Sequence, residues 1–167
     1  MPNKIFYSFL NSPLGKIGVA SSLFGVVCVD IGVNQNTFSE KLKRKFPEYK
    51  LVNSEKENSQ AIKELKSYLE GNLRVFKSKL DLKGTPFQLN VLRSVWKIPY
   101  GKMHSYKSIA CKVGKPTAVR AVGNAIAQNP LPIFIPCHRV IKSDGSLGNY
   151  GPGKDIKRKL LKLEKAI

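Results

Sequence analysis

Cys137 and His138 stand side by side at the end of an apolar run, Leu131-Pro132-Ile133-Phe134-Ile135-Pro136-Cys137-His138-Arg139-Val140-Ile141. A thiol next to an imidazole offers nucleophilic chemistry: the thiolate attacks soft carbon centres, and a neutral imidazole can take up the thiol proton. The pair alone is a weak motif, because neighbouring side chains on an extended segment point opposite ways, and a structural role competes with a reactive one. The apolar positions interleaved with prolines predict a core segment that leaves the pair at the edge of something buried.

The other cysteines, Cys28 and Cys111, are expected to be inert core thiols. Cys28 lies in Gly25-Val26-Val27-Cys28-Val29, and Cys111 follows Ile109-Ala110 in a helical pattern. Three cysteines without a C-x-x-C pair, and only two histidines, argue against a disulfide framework and a metal cage alike.

The elements that must hold the reactive pair follow from turn and cap signals. Thr85-Pro86-Phe87-Gln88 predicts a helix start, with a capping Thr, Pro at the first helical position and Gln at the third. Val91, Leu92, Val95 and Trp96 supply its apolar stripe, and Pro99-Tyr100-Gly101 breaks it. A short helix over Ser105 to Val113, a turn at Gly114-Lys115-Pro116 and a helix from Thr117 to Gln128, ended by Asn129-Pro130, form a helix-turn-helix pattern. Ala118, Ala121, Gly123, Ala125 and Ala127 keep the second of these helices almost free of long side chains, and Arg120 is its only charged residue. Such a helix lets backbone approach backbone or phosphate closely while one Arg projects. Tight packing with an incidental Arg is the competing reading.

The first eighty residues read as a small α+β unit. Strands are predicted over Ile5 to Phe9, Ile17 to Ala20 and Gly25 to Ile31, with a turn at Ser12-Pro13-Leu14-Gly15. One helix presents Phe38, Leu42 and Phe46 and ends at Pro47; a second covers about Ser59 to Leu69. Asn53 to Asn58 reads as a loop and Asp81 to Gly84 as the linker, giving domains over 1–81 and 82–167.

The chain of 167 residues is 42% hydrophobic and carries a formal net charge of +18. Residues 1–81 hold 13 basic and 8 acidic side chains and residues 82–167 hold 16 and 3, so the excess sits in the C-terminal half. A concentration of this kind is the electrostatic footprint of nucleic-acid binding. The segment Asp155 to Ile167 is only a weak candidate for a membrane-surface helix. No apolar stretch approaches the roughly 18–20 residues of a membrane span, and Met1-Pro2-Asn3-Lys4 opens no secretory signal, so a cytoplasmic location is expected.

Pro136-Cys137-His138-Arg139-Val140, preceded by the Arg120 helix and Asn129-Pro130 and followed by Gly148-Asn149-Tyr150-Gly151, closely resembles the O6-alkylguanine-DNA alkyltransferase family. The match covers about Thr85 to Glu164; the N-terminal half matches chiefly through Ser12-Pro13-Leu14-Gly15. The resemblance implies a ribonuclease-H-like β-sheet domain followed by a helical, winged-helix-like domain that binds duplex DNA as a monomer, flips out the alkylated guanine and takes its alkyl group irreversibly. It makes Cys137 the acceptor, His138 its base through a water, and Glu164 the group orienting the imidazole. Asn129 would be the hinge, Tyr106 a hydrogen-bond donor to a guanine ring nitrogen, and Arg120 the finger filling the vacated stack. Ala118, Ala121 and Gly123 belong to the helix that approaches the DNA. The carbonyls of Cys137 and Val140 would read the exocyclic amine, and Tyr150 with the backbone of Gly151 would line the pocket. Relatives often carry Ser at the position of Gly151. No cofactor is implied, and the N-terminal Cys and His residues with which some relatives bind zinc are lacking. Activity on O4-alkylthymine stays open.

The residue types suit that reaction. An unperturbed thiol is a few per cent ionised at pH 7, so complete ionisation is worth at most a few tens of fold, and positioning must supply more. The thioether product has no labile bond, which predicts one turnover per molecule. Three rival readings stay in view. A lesion-recognition relative would lack the cysteine, a helix-turn-helix regulator would ignore alkylation, and a cysteine hydrolase would turn over repeatedly without needing so basic a chain.

Overall fold

The computed structural model describes residues 3–167; Met1 and Pro2, the start of the segment read for a secretory signal, lie outside them. The chain divides into two compact units, one running through Leu82 and one from Lys83 onward.

In the first unit, β1 (Lys4–Leu10), β2 (Ile17–Ser21) and β3 (Val26–Ile31) form an antiparallel meander, and β4 (Lys50–Asn53) adds in parallel beside β1. The sheet order is β3-β2-β1-β4. The β1–β2 turn closes with Gly15 N donating to Ser12 O at 3.0 Å, and Gly15 has a φ of +93° that favours glycine. All five residues of β2 are buried, as expected of a strand covered on both faces. On one face α1 (Gln35–Lys45) seats Phe38 and Leu42 against Ile5, Ala20, Val27 and Cys28. A Cβ on Gly18 would come within 2.7 Å of the Phe38 ring, so this approach requires glycine. α2 (Glu55–Leu69) buries Ala61, Leu65 and Tyr68.

The segment 53–58, expected to be a loop, is mostly helix: α2 begins at Glu55, with only Ser54 between it and the end of β4. Ser54 is its N-cap residue, and Glu55 and Glu57 occupy a first turn where acidic side chains oppose the helix dipole. The anchor is polar. Asn58 is fully buried, accepts from Ser21 Oγ at 2.7 Å and donates to Phe6 O at 3.1 Å, so apolar periodicity does not register it. Part of the expected linker is also tied down, since Asp81 N donates to Val26 O and Ser22 Oγ donates to Asp81.

The second unit opens with α3 (Pro86–Trp96), capped by Thr85 Oγ1 accepting from Gln88 N at 3.2 Å. Its buried stripe is Val91, Leu92 and Val95; Trp96, read as part of that stripe, sits at its edge and is 49% exposed. α4 (Tyr106–Lys112) is capped by Ser105, and α5 (Val119–Ala127) follows the turn at Gly114-Lys115-Pro116, in which Gly114 has a φ of +73°. Ile109 and Ala110 of α4 are buried, but Cys111 is exposed, against the expectation of a core thiol. It occupies the position just beyond that narrow buried stripe. α6 (Lys154–Leu163) closes the unit with Leu160 and Leu161 inward.

Candidate active site

β5 (His104–Ser105) pairs in parallel with β6 (Val140–Ile141), His104 opposite Val140 and Ser105 opposite Ile141. This ladder ties the start of α4 to the reactive segment, so Tyr106, the first residue of α4, is brought beside it. Cys137–Arg139 forms a 3-10 turn rather than the extended strand on which a Cys-His pair would diverge. The expected burial of the preceding run holds from Leu131 through Pro136. Within it Ile133 takes a φ of +74°, a left-handed conformation that costs a β-branched residue energy and persists because the surroundings impose it.

Asn129 supplies much of that constraint. Just past the end of α5, its Oδ1 accepts from Leu131 N at 3.0 Å while Nδ2 donates to Ile135 O at 3.0 Å and to Cys137 Sγ at 3.1 Å. One amide thus brackets the strained turn and aims a donor at the sulfur. Cys137 is 7% exposed. Burial pushes its thiol above the ordinary value, while the Asn129 hydrogen bond and the charge of Lys157 pull the other way. The resting group is a thiol, so its proton must leave during the reaction.

His138 is completely buried, and its Nε2 lies 2.8 Å from Glu164 Oε1. An ionised Glu164 makes Nε2 the protonated nitrogen, which leaves Nδ1 as the basic one. Burial pushes the imidazole below its ordinary value, against the pull of Glu164, so the neutral form is favoured. Glu164 closes the C-terminal end of α6 and is 3% exposed. Its carboxylate also accepts from Arg139 Nε at 2.9 Å, Arg139 Nη2 at 2.8 Å and Gly101 N at 3.2 Å.

Tyr106 is half-buried between two glycines. A Cβ on Gly148 would lie 3.3 Å from its ring and hydroxyl, and one on Gly123 would lie 4.0 Å away. Burial first, and then Cys137, raise the phenol above its ordinary value and keep it a proton donor. Arg120 and Ala121 are exposed on α5, and Ala118 occupies its N-cap position, half-buried. Tyr150 is half-buried and Gly151 exposed in the loop before α6. The structure therefore gathers Cys137, His138, Glu164, Asn129, Tyr106 and Val140, while Arg120 stands out on the helix surface.

Two residues that sequence reasoning passed over belong to this assembly. Arg139 stands within the Pro136–Val140 motif, where the resemblance gives it no role. Lys157 of α6 is fully buried, and its Nζ donates to Val140 O at 2.6 Å, Leu147 O at 2.5 Å and Asn149 O at 3.5 Å. It engages the very carbonyl that the resemblance assigns to reading an exocyclic amine. Its signal in sequence was its spacing, three residues before Leu160 and seven before Glu164, on the inward face of α6. Burial lowers its pKa to about 8. Among the described residues no three His, Cys, Asp or Glu side chains converge as a metal site.

Two family models match the chain: the ribonuclease-like domain of 6-O-methylguanine DNA methyltransferase over residues 5–82, and the DNA-binding domain of the same protein over residues 86–166. The methylated-DNA–protein-cysteine methyltransferase of Methanosarcina barkeri is 41% identical over 160 residues, covering 96% of this chain and 97% of the relative. The chain belongs to the 6-O-methylguanine DNA methyltransferase family. Another methyltransferase relative, the inducible protein of Bacillus subtilis, is 40% identical over 165 residues, covering 96% of this chain and 90% of its own. Among solved structures, Mycobacterium tuberculosis OGT in complex with DNA superposes with a TM-score of 0.82 at 35% identity, covering 96% of this chain and 93% of the other. Membership in this methyltransferase family accounts for the mixed α+β architecture, with a sheet unit followed by a helical one. No helix among the described residues is long and apolar enough to cross a membrane.

Proposed function

We propose that the protein repairs O6-alkylguanine in duplex DNA by moving the alkyl group, once and irreversibly, onto Cys137, acting as a monomer in the cytoplasm. The observation that carries this reading is the placement of a buried thiol against a fixed donor, Asn129 Nδ2 at 3.1 Å, beside an imidazole already paired with Glu164 at 2.8 Å. The thiol proton passes through a water to His138 Nδ1. Sγ then bonds to the alkyl carbon as the carbon–O6 bond breaks, and that electron pair goes to the guanine. Tyr106 donates to a ring nitrogen as the charge develops.

The base reaches the thiol only when unstacked, at a cost of a few kcal/mol that is smaller for a poorly paired lesion. Arg120, exposed on the small-residue helix α5, fills the gap while Ala118, Ala121 and Gly123 allow close approach. Three free cysteines suit a reducing compartment. The test is an intact-mass spectrum after mixing with a duplex holding one O6-methylguanine. A gain of one CH2 that disappears in Cys137→Ser is expected. Retained lesion binding with no mass change would replace the proposal with lesion recognition alone.

A further inference from the structure

Glu164 is shared. Its Oε1 accepts from both His138 Nε2 and Arg139 Nη2, each at 2.8 Å, and its Oε2 accepts from Arg139 Nε at 2.9 Å. Arg139 is itself clamped, donating through Nη1 to Ile98 O at 2.6 Å and lying 5.8 Å from the centroid of the Tyr100 ring. The Glu164 side chain has no solvent exposure and that of Arg139 has 6%, so the pair lies where charge must balance locally.

We infer that Arg139 is a positioning residue that keeps His138 neutral, because its guanidinium neutralises Glu164 and removes the reason for the buried cluster to bind another proton. The inference rests on the proposed role of His138 as the base for Cys137. With Arg139 present, ionised Glu164 and neutral imidazole already sum to no charge. Protonating His138 would leave a net positive cluster in the core, with the ammonium of Lys157 adding to it. Without Arg139, a lone buried carboxylate would face the imidazole, and the pair would reach neutrality by taking up one proton, which the imidazole holds as the more basic partner. The charged and titratable groups acting on His138 are Glu164 and Lys157 from α6 and Arg139 from its own turn, with Cys137 adjacent in the chain. Of these, Glu164 favours the imidazolium, while Arg139 and Lys157 oppose it. A protonated His138 cannot accept the thiol proton. Burial disfavours the imidazolium first, and Arg139 adds to it by cancelling the pull of Glu164, which widens the pH range over which the base is available.

The chain has two histidines, His104 and His138, so NMR titration of histidine-labelled resting protein, with His104→Asn for assignment, reads the imidazole directly and needs no lesion. Arg139→Met should raise the His138 midpoint by about one to three units, the effect of a neighbouring charge at close range. Arg139→Lys, which keeps the charge without the fork, should leave it near wild type. If Arg139→Met does not fold, Arg139→Gln removes the charge while keeping an amide donor toward Glu164. In single-turnover transfer, a midpoint one unit above the assay pH leaves about a tenth of His138 neutral, so the variant should lose about tenfold at that pH and recover as the pH rises. Damage to the fold would not reverse in this way. An unmoved His138 midpoint in the charge-removing variant overturns the role of Arg139, as does a midpoint raised equally in Arg139→Lys. Wild type that gains no mass on lesion DNA would instead overturn the alkyl-transfer reading and leave the titration standing.

Discussion

Replacing Asn129 with alanine should damage stability and chemistry together, by amounts the geometry sets separately. On the stability side, Leu131 N loses the Asn129 Oδ1 acceptor at 3.0 Å in a fully buried position, and an orphaned buried donor costs about 1–3 kcal/mol. Ile135 O loses Nδ2 but keeps the Cys137 N–H at 2.7 Å, so its loss is nearer the ~1 kcal/mol of an ordinary hydrogen bond. The expected destabilisation is about 2–4 kcal/mol, a large share of the 5–15 kcal/mol typical of a folded protein. On the chemical side, the sulfur loses its donor at 3.1 Å as it becomes anionic. A hydrogen bond to a charged group is worth about 1.5–3 kcal/mol, or roughly ten- to a hundredfold in rate. Urea unfolding measures the first effect, and quenched single-turnover transfer from an O6-methylguanine duplex, read by intact mass under conditions where the variant is folded, measures the second. Asn129→Ala transferring at the wild-type rate would refute the assignment of Nδ2 to the developing thiolate, whatever its stability.

Arg120→Ala should slow repair in duplex DNA by more than it slows reaction with free O6-benzylguanine, because only the duplex has a stack to fill; equal losses would remove the finger role. With 29 basic and 11 acidic residues, affinity for duplex DNA should fall linearly in a plot of log affinity against log salt, and a flat response measured by fluorescence anisotropy would show that the charge serves another purpose. Lys157 gives a stability effect with a defined sign. Its pKa falls from an ordinary 10.5 to about 8 in the folded protein, so between those values the unfolded chain holds the extra proton. Unfolding free energy should therefore gain up to about 3 kcal/mol as pH rises from roughly 8 to 10.5, a gain missing in Lys157→Met. Parallel pH curves for the two proteins in urea would contradict the burial of the ammonium.

Much of the molecule is legible from local rules. The Thr85-Pro86 helix start, the Gly114 turn between α4 and α5, and the small residues of α5 are stated by residues adjacent to the features they produce. The charge imbalance needs only counting. What local reading missed has its cause at a distance. β4 exists because β1 offers it a parallel edge, and α2 begins early because Asn58 finds Phe6 and Ser21, 52 and 37 residues away. Cys111 and Cys28 look alike in sequence, and only tertiary packing leaves the first exposed on α4 and the second buried in β3 against Phe38 and Leu42.

The site divides in the same way. Sequence by itself determined the chemistry on offer, a thiol, an imidazole, a phenol and an amide at fixed positions of a basic chain, because functional groups are properties of residues. Tertiary structure alone decided their state. His138 meets Glu164 across 26 residues, Arg139 is drawn under the same carboxylate, and Lys157 turns inward to the carbonyl of Val140, 17 residues before it. Whether a buried group is charged depends on desolvation and on partners at hydrogen-bond distance, and in this protein those partners come together only when the chain folds.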